Sequence, residues 1–157
     1  MEKSVSRVNK IASGVGLVYG KSILLAKRIS YWEGIKVNYG GYWSIFGGVV
    51  EEGETTSQSA VRELKEESQI EVSEKNLIFI KTIQEPIPQD TLNPNFQEVE
   101  FSFYISELDK LTNPILNEEH TEFGWFNMDS LTSFTEKIDP KIIDCVNLYR
   151  SNMYKNV

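Results

Sequence analysis

One segment, GGVVEEGETTSQSAVRELKEESQI at residues 47–70, constrains the fold more than any other part of the chain. Its glycines allow a tight turn, and the Thr-Thr-Ser run at residues 55–57 is suited to capping the start of a helix. Over residues 56–68 the apolar side chains Ala60, Val61 and Leu64 form a stripe at helical spacing. The segment therefore predicts a glycine-rich turn that leads into an amphipathic helix.

Three glutamates of this helix, Glu63, Glu66 and Glu67, stand at i, i+3 and i+4 and are expected to share one face. Like charges at these spacings cost a helix about 0.2–0.5 kcal/mol per pair, so a helix selected for stability alone would interleave lysines. A hard divalent cation such as Mg²⁺ binds oxygen ligands and would remove the repulsion. The pattern favours a metal site beside substrate phosphates over the alternative of a solvated acidic helix.

The spacing of the whole segment resembles the signature of the Nudix hydrolases, G-x5-E-x7-R-E-U-x-E-E-x-G-U with U aliphatic. The matching residues are Gly48, Glu54, Arg62, Glu63, Leu64, Glu66, Glu67 and Ile70. Gln69 stands where the family has glycine, at the exit of the helix, where glycine usually makes the turn. Phe46 stands where the family often has proline. Every charged position of the signature is retained.

The resemblance implies an α/β fold, an α/β/α sandwich with a mixed β-sheet, in a single domain over residues 1–157. It implies attack of water on phosphorus in the diphosphate linkage of a nucleoside diphosphate derivative, with Mg²⁺, or Mn²⁺ in its place, as cofactor. The site residues that it implies are Glu63, Glu66 and Glu67 as metal ligands, Glu66, Glu67 and Glu119 in catalysis, Gly48, Glu54 and Arg62 in supporting roles, and Arg28, Trp43, Gly47 and Gly48 at the substrate.

Glu119 is chosen for its position in NEEHTEFGWF, residues 117–126, which resembles the loop and strand that many family members bring to the site. An acidic residue about six positions before a tryptophan there assists the metal or the attacking water, and Glu119 stands six before Trp125. The neighbouring histidine, the only one in the chain, could act as a base, orient the substrate or lie exposed. The alternates for the acidic role are Glu118, Glu122, Glu98 and Glu100, the last two of which could equally face solvent.

Length and charge limit the class of protein. A chain of 157 residues that is 40% hydrophobic suits one domain with a substantial core. Residues 51–74 hold eight acidic and two basic side chains, and so carry −6 of the net charge of −7. This local acidity argues against long nucleic acid as a partner, which would need a basic face. A small nucleotide is the expected substrate, and the resemblance leaves monomer and homodimer open.

Cys145 is the only cysteine, so no intramolecular disulfide can form. Its position in the predicted last helix favours a small buried hydrophobic side chain. No apolar run has membrane-spanning length, and the start of the chain lacks the apolar core of a signal peptide, so a cytoplasmic protein is expected. Isoprenoid diphosphate isomerases share the fold but use a cysteine in the active region, which makes that alternative weaker. The other alternative is a non-catalytic Nudix-like nucleotide-binding or regulatory domain.

The remaining pattern predicts strands at 12–19 and 22–28, a buried strand at 77–84, a strand at 96–106 and loops at 29–41 and 85–95. Asp139 and Pro140 predict the start of the last helix. The aromatic loop before the glycines carries Tyr31, Trp32 and Tyr39, whose rings could stack on a base or close the edge of the sheet. The candidate substrates are nucleoside triphosphates, nucleotide sugars, dinucleoside polyphosphates and capped RNA ends.

Overall fold

A mixed β-sheet forms the centre of the molecule, of which the computed structural model describes residues 8–37, 39–86 and 96–155. The strands are β1 (Val8–Tyr19), β2 (Ser22–Arg28), β3 (Tyr31–Trp32), β4 (Ile35–Lys36), β5 (Trp43–Ser44), β6 (Phe46–Val49), β7 (Ile78–Pro86), β8 (Phe96–Glu107) and β9 (His120–Asn127). The helices are α1 (Thr56–Ser68) and α2 (Pro140–Lys155), with 3₁₀ turns at Glu74–Asn76 and Met128–Ser133. Within these ranges seven strands form the main sheet, in the order β5-β2-β1-β8-β7 with β6 beside β1 and β9 beside β2.

The central pair of the sheet, β1 and β8, is parallel, while the other pairs of the main sheet are antiparallel. β1 begins at Val8, four residues before the predicted start, because its first residues pair with β8. β2 has the predicted bounds, and β8 extends the predicted strand by one residue to Glu107.

Each face of the sheet is covered by one long helix. On one face the buried side chains of β8, Val99, Phe101, Phe103 and Ile105, belong to the core cluster that contains the apolar side of α2. On the other face Val15 and Leu17 of β1 belong to a second cluster with the apolar stripe of α1. The expected α/β/α sandwich with a mixed sheet is confirmed.

The two helices form for the reasons that the sequence indicated. Thr55 is the N-cap of α1, and its hydroxyl accepts a hydrogen bond from the Gln58 N–H while the Gln58 side chain accepts one from the Thr55 N–H. At the start of α2 the carboxylate of Asp139 accepts from the N–H of Lys141 at 3.2 Å. Cys145 is fully buried in α2, and burial raises the pKa of its thiol to about 11, so the predicted packing role is confirmed.

Three sequence-based expectations about strands and loops are wrong. β7 was predicted as a buried strand, but it lies at the edge of the sheet and all of its residues are exposed or half-buried. The region 29–41, predicted as loop, contains the paired strands β3 and β4, which turn at Glu33 and Gly34, both with positive φ. Glu85 belongs to β7 instead of the predicted loop 85–95, whose residues 87–95 lie outside the described ranges. No helix in those ranges is long and apolar enough to cross a membrane.

The site lies where the sheet splays. β1 and β2 pair only beside their hairpin turn, at Val18–Ile23 and Tyr19–Ser22, and then diverge. β6 pairs with β1 from Ala12 to Val15, and β5 pairs with β2 at Ala26 and Lys27. The divergence opens a cleft that β6 and α1 border on one side.

Candidate active site

The cleft has a volume of about 400 Å³, and the residues that line it come from many elements between Lys10 and Lys141. Three of its walls carry charged groups. The first has carboxylates from α1 and from the loop before β9, and the second has cations from β1 and β2. The third has a carboxylate from β7 paired with an ammonium group from α2. The lining side chains used below are Lys10, Arg28, Trp32, Val37, Tyr39, Glu63, Glu67, Glu85, Val99, Phe101, Glu119, His120 and Lys141. The volume suits a small ligand.

Arg62 holds the start of the acidic side together. Its Nε and Nη2 donate to the two carboxylate oxygens of Glu54 at 2.7 and 2.9 Å, and Nη2 also donates to the Val49 carbonyl at 3.2 Å. Its Nη1 lies 3.0 Å from Glu63 and 3.2 Å from Glu66. The hydrogen bond to Glu54 raises the pKa of the guanidinium and lowers the pKa of the Glu54 carboxyl. This planar bidentate contact ties the turn to α1, and the supporting role of both residues at the site stays a prediction.

The paired glycines bring the backbone against the acidic residues of α1. The N–H of Gly47 donates to Glu67 Oε1 at 2.7 Å, and a Cβ on Gly47 would lie 2.4 Å from the Ser13 carbonyl oxygen. A Cβ on Gly48 would lie 2.5 Å from the carboxyl carbon of Glu63. Gly47 therefore requires glycine, because backbone atoms stand where a Cβ would lie, whereas Gly48 leaves the space that the flexible Glu63 carboxylate occupies.

Glu67, Glu119 and Glu63 meet across the cleft. Glu67 is buried, and burial, a hydrogen bond to Glu119 and the charges of Glu119 and Glu63 raise its pKa well above the usual value. The same hydrogen bond lowers the pKa of Glu119, which lies on the open wall of the cleft, so a proton shared by the two carboxyl groups would favour Glu67. Burial also raises the pKa of Glu63, although Arg62 opposes the shift. The cleft thus collects three carboxyl groups that repel one another when ionised.

Glu66 does not join this group. Its side chain is 55% exposed, points to Arg62 and is absent from the cleft walls. Glu66 nevertheless stays on the same side of α1 as Glu63, because the Nη1 of Arg62 contacts both carboxylates and the Glu66 charge contributes to the raised pKa of Glu63. Arg62 stands next to Glu63 and four residues before Glu66, and it relieves the repulsion between them.

The donor chemistry of the cleft fits a hard divalent cation. In the described ranges no three Asp, Glu, His or Cys side chains are arranged with the geometry of a metal site. The carboxyl groups of Glu63, Glu67 and Glu119 nevertheless supply the oxygen donors that Mg²⁺ and Mn²⁺ prefer, and their mutual repulsion would be relieved by a cation. A site for Mg²⁺ or Mn²⁺ at Glu63 and Glu67, with the Glu119 carboxylate facing it, is consistent with the residues present.

Arg28 and His120 form the wall next to Glu119. They are paired across β2 and β9, and the Nε of Arg28 is buried without a hydrogen-bond partner in the described part of the chain. Both ring nitrogens of His120 are buried and equally unpartnered there. Burial and the charge of Arg28 lower the histidine pKa to about 4, so the imidazole is neutral near pH 7. Of the three alternatives for His120, the exposed position is wrong, because the side chain is buried. Its ring packs edge-on against Phe46, with centroids 5.1 Å apart.

Trp43 lies away from the cleft. Its ring is buried against Phe126 and Phe134, and its Nε1 donates to Glu136 at 2.9 Å. The expected contact with substrate is therefore replaced by a packing contact, because the residue faces the core beneath α2. Trp32, 38% exposed, is the tryptophan that lines the cleft.

The alternate acidic residues also lie outside the cleft walls. Glu98 and Glu100 alternate with Val99 and Phe101 on β8, so they point to the opposite face of the sheet. Glu122 lies 3.7 Å from Lys27, and Glu118 is exposed. Of the candidates for an acidic residue outside α1, Glu119 is the one that the fold brings into the cleft.

Among the charged cleft residues that the sequence analysis did not predict for the site are Lys10, Glu85 and Lys141. They come from β1, β7 and α2 and share no motif. Lys10 and Glu85 both pair with Val99 of β8, so their side chains stand in one row on the same face of the sheet. Only the register of three strands could have shown this arrangement.

A family model for the NUDIX domain matches residues 9–145 of the chain. Among curated proteins, the chain is 30% identical over 117 residues to a protein of Erwinia tasmaniensis described as NAD-capped RNA hydrolase NudC, an alignment that covers 74% of this chain. The chain spans only 38% of the length of that relative.

Solved structures share the fold. The MutT protein from Methanosarcina mazei Go1 superposes with a TM-score of 0.75 at 18% identity, covering 95% of this chain and 99% of that one. The Escherichia coli dihydroneopterin triphosphate pyrophosphohydrolase superposes with a TM-score of 0.70 at 22% identity, covering 92% of this chain and 99% of that one. At these sequence identities the structural similarity shows a shared fold only.

Proposed function

The chain belongs to the NUDIX family, and from this premise we propose that it hydrolyses the diphosphate linkage of a nucleoside diphosphate derivative with the help of Mg²⁺. The observation that carries the proposal is the meeting of Glu63, Glu67 and Glu119 in one cleft beside Arg28. Nucleoside triphosphates, nucleotide sugars and dinucleoside polyphosphates all contain such a linkage.

In the proposed reaction a water oxygen bonds to one phosphorus, the bond from that phosphorus to the bridging oxygen breaks, and two phosphate-bearing products leave. Mg²⁺, when bound, would neutralise charge on the diphosphate oxygens and lower the pKa of a bound water. Glu63, Glu66 and Glu67 are the proposed ligands, with Glu119 facing them. Glu66 would have to give up its contact with Arg62 to take part.

The chain's own residues would divide the remaining work. Glu119, which stays ionised because its pKa is lowered, is the proposed acceptor of the proton from the attacking water. Arg28 presents a guanidinium to the cleft and would pair with phosphate oxygens, which match its planar donors. Gly47 and Gly48 line the cleft next to the substrate and let the Glu67 and Glu63 side chains lie close to the backbone. Arg62 and Glu54 keep α1 and the turn in position for these contacts.

A panel assay tests the proposal. Purified protein with Mg²⁺ is incubated with GTP, ATP, ADP-ribose, a dinucleoside tetraphosphate and NAD in ¹⁸O-labelled water, and products are separated by chromatography. NAD is included because the Erwinia relative is described as an NAD-capped RNA hydrolase. The proposal expects cleavage at a diphosphate linkage, with one labelled oxygen in a phosphate product. Binding of these nucleotides without cleavage would instead favour the alternative, a non-catalytic nucleotide-binding domain.

A further inference from the structure

A buried ionic cluster lies in the cleft apart from the acidic residues of α1. The Lys141 ammonium lies 3.1 Å from Glu85 Oε1 and also contacts the Asp139 carboxylate. Their side chains are 10%, 14% and 2% exposed, respectively. Two carboxylates against one ammonium leave one negative charge in excess, so a ligand that offers N–H donors would be favoured here. Removing such charges from water is costly unless they are fully hydrogen-bonded.

Aromatic rings flank this cluster. The Lys141 Nζ lies 4.8 Å from the centroid of the Tyr39 ring and 5.0 Å from that of Phe101, while Trp32 stands at the exposed rim. The Tyr39 hydroxyl donates to Glu85 Oε2 at 3.5 Å. Tyr39 has a φ of +57°, in the left-handed region, which costs a bulky residue about 1–2 kcal/mol. Contacts hold the ring here against that cost, as is common at ligand sites.

The register of the sheet separates the cluster from the acidic residues. Lys10, Val99 and Glu85 stand side by side on β1, β8 and β7, so Lys10 and Glu85 are two strand spacings, roughly 10 Å, apart. Val99 and Phe101 form an apolar floor between them. Lys10 and Arg28 both line the cleft, and burial together with the charge of Arg28 lowers the pKa of Lys10. A nucleotide could therefore direct its phosphates to Arg28 and its base to Glu85.

We propose that this part of the cleft, formed by Tyr39, Glu85, Phe101 and Lys141, binds a guanine base; the inference rests on the proposed function and names its substrate class. Guanine carries an acceptor, O6, next to two donors, N1–H and N2–H₂. Lys141 has three ammonium protons. Among the described residues, two of them are directed to the carboxylates of Glu85 and Asp139, and the third would donate to guanine O6. The Glu85 carboxylate would accept from both donors.

Adenine matches the cluster less well. Its corresponding edge has one donor group, N6–H₂, and one acceptor, N1, so one oxygen of the buried Glu85 carboxylate would lack a donor from the base. A pairing of a carboxylate with two donors contributes about 1–3 kcal/mol of discrimination, which corresponds to about 5- to 150-fold in affinity. Hypoxanthine keeps O6 and N1–H but lacks the 2-amino group. Its affinity is therefore expected between those of the other two bases.

The test is a calorimetric titration with GMP, IMP and AMP in excess chelator. Monophosphates contain no diphosphate linkage, so this experiment measures base recognition separately from hydrolysis. The expected order of affinity is GMP, IMP, AMP, with GMP about tenfold or more tighter than AMP. Hydrolysis without this preference would overturn the inference while leaving the proposed function intact. The preference without hydrolysis would support the inference and contradict the function.

Glu85→Gln is the decisive variant, because its amide N–H₂ would face a donor of guanine. Lys141 keeps Asp139 as a partner in this variant, so the fold should be retained, which a melting curve verifies. The preference for GMP over AMP is expected to disappear. Asp144→Asn makes the same carboxyl-to-amide change on the exposed side of α2 and should keep the preference. Equal affinity for GMP and AMP in the wild type, no binding of GMP, or an unchanged preference in folded Glu85→Gln would overturn the proposal.

Discussion

Glu67 is a carboxyl group that the fold almost completely removes from water. Its pKa is raised by burial and by Glu119, so the folded state binds this proton more tightly than the unfolded state does. The stability that it contributes is fully present below the unfolded pKa near 4.5 and is lost as pH rises through the folded pKa. Glu119 has a lowered pKa, so its own contribution is present above its unfolded value and is lost on acidification.

From this linkage we predict that Glu67→Gln stabilises the metal-free protein at about pH 7 to 8 and flattens its loss of stability with rising pH. Glutamine keeps an oxygen for the Gly47 N–H and cannot ionise. A rise in melting temperature of about 2–4 °C is expected, the shift that about 1 kcal/mol gives in a chain of this size. Melting in excess chelator at several pH values measures it.

The matched control is Glu66→Gln, on the exposed side of α1. It removes only a solvent-exposed contact with Arg62. The change in its melting temperature should therefore correspond to no more than about 0.5 kcal/mol in the free energy of unfolding at any of these pH values. If Glu67→Gln instead lowers stability near pH 7.5, or if both variants behave alike, Glu67 does not hold the shared proton.

Glu119 is proposed as the proton acceptor, and its removal has a kinetic consequence. Glu119→Gln should lower the turnover number by about two to four orders of magnitude, with a much smaller change in the Michaelis constant. Glu122→Gln is the control, since Glu122 contacts Lys27 outside the cleft. Steady-state kinetics with Mg²⁺ on the best substrate of the panel compares them. If Glu119→Gln is nearly silent while Glu98→Gln or Glu100→Gln abolishes activity, the base comes from β8.

At the scale of elements, the end of α1 carries a residue in an unfavourable conformation. Gln69 ends the helix with φ +60° and ψ +17°, the left-handed region in which glycine is favoured. Gln69→Gly should therefore raise the free energy of unfolding by about 0.5–1 kcal/mol, the strain relieved less the entropy that glycine adds to the unfolded chain.

Gln69→Ala separates this effect from loss of the side chain. Alanine also has a Cβ and gains nothing in the left-handed region, so its free energy of unfolding should stay near that of the wild type. Urea titration measures all three proteins. Equal stabilisation by Gly and Ala would show that the glutamine side chain, not the backbone conformation, is the unfavourable feature.

The sequence predicted α1 and β2 with their observed bounds because capping residues, turn glycines and apolar periodicity act locally. It failed for β7, where an apolar, β-branched run indicated a buried strand. That strand lies at the edge of the sheet, and its position depends on pairing with β8, which the segment itself does not encode. Its apolar residues Ile78 and Phe79 remain 38% and 55% exposed.

At the scale of the molecule, the acidic part of the site could be predicted and the rest of the cleft could not. Glu63 and Glu67 lie within one motif, and Glu119 was chosen because its segment resembles a loop and strand of the family. Glu85 and Lys141 reach the cleft through strand register and the packing of α2, which no local pattern specifies. Glu66 lies outside the cleft walls, and its carboxylate contacts Arg62.

We propose that the carboxylates gathered in the cleft, Glu63, Glu67 and Glu119, support hydrolysis of a diphosphate linkage that depends on a divalent cation. The most direct measurement is the rate at which the purified protein cleaves its best diphosphate substrate in excess chelator and after addition of Mg²⁺ or Mn²⁺. We predict no turnover in chelator, full recovery with either ion, and a rate at least about a hundredfold lower for folded Glu67→Gln with Mg²⁺. Undiminished turnover in excess chelator would show that the hydrolysis does not depend on a divalent cation.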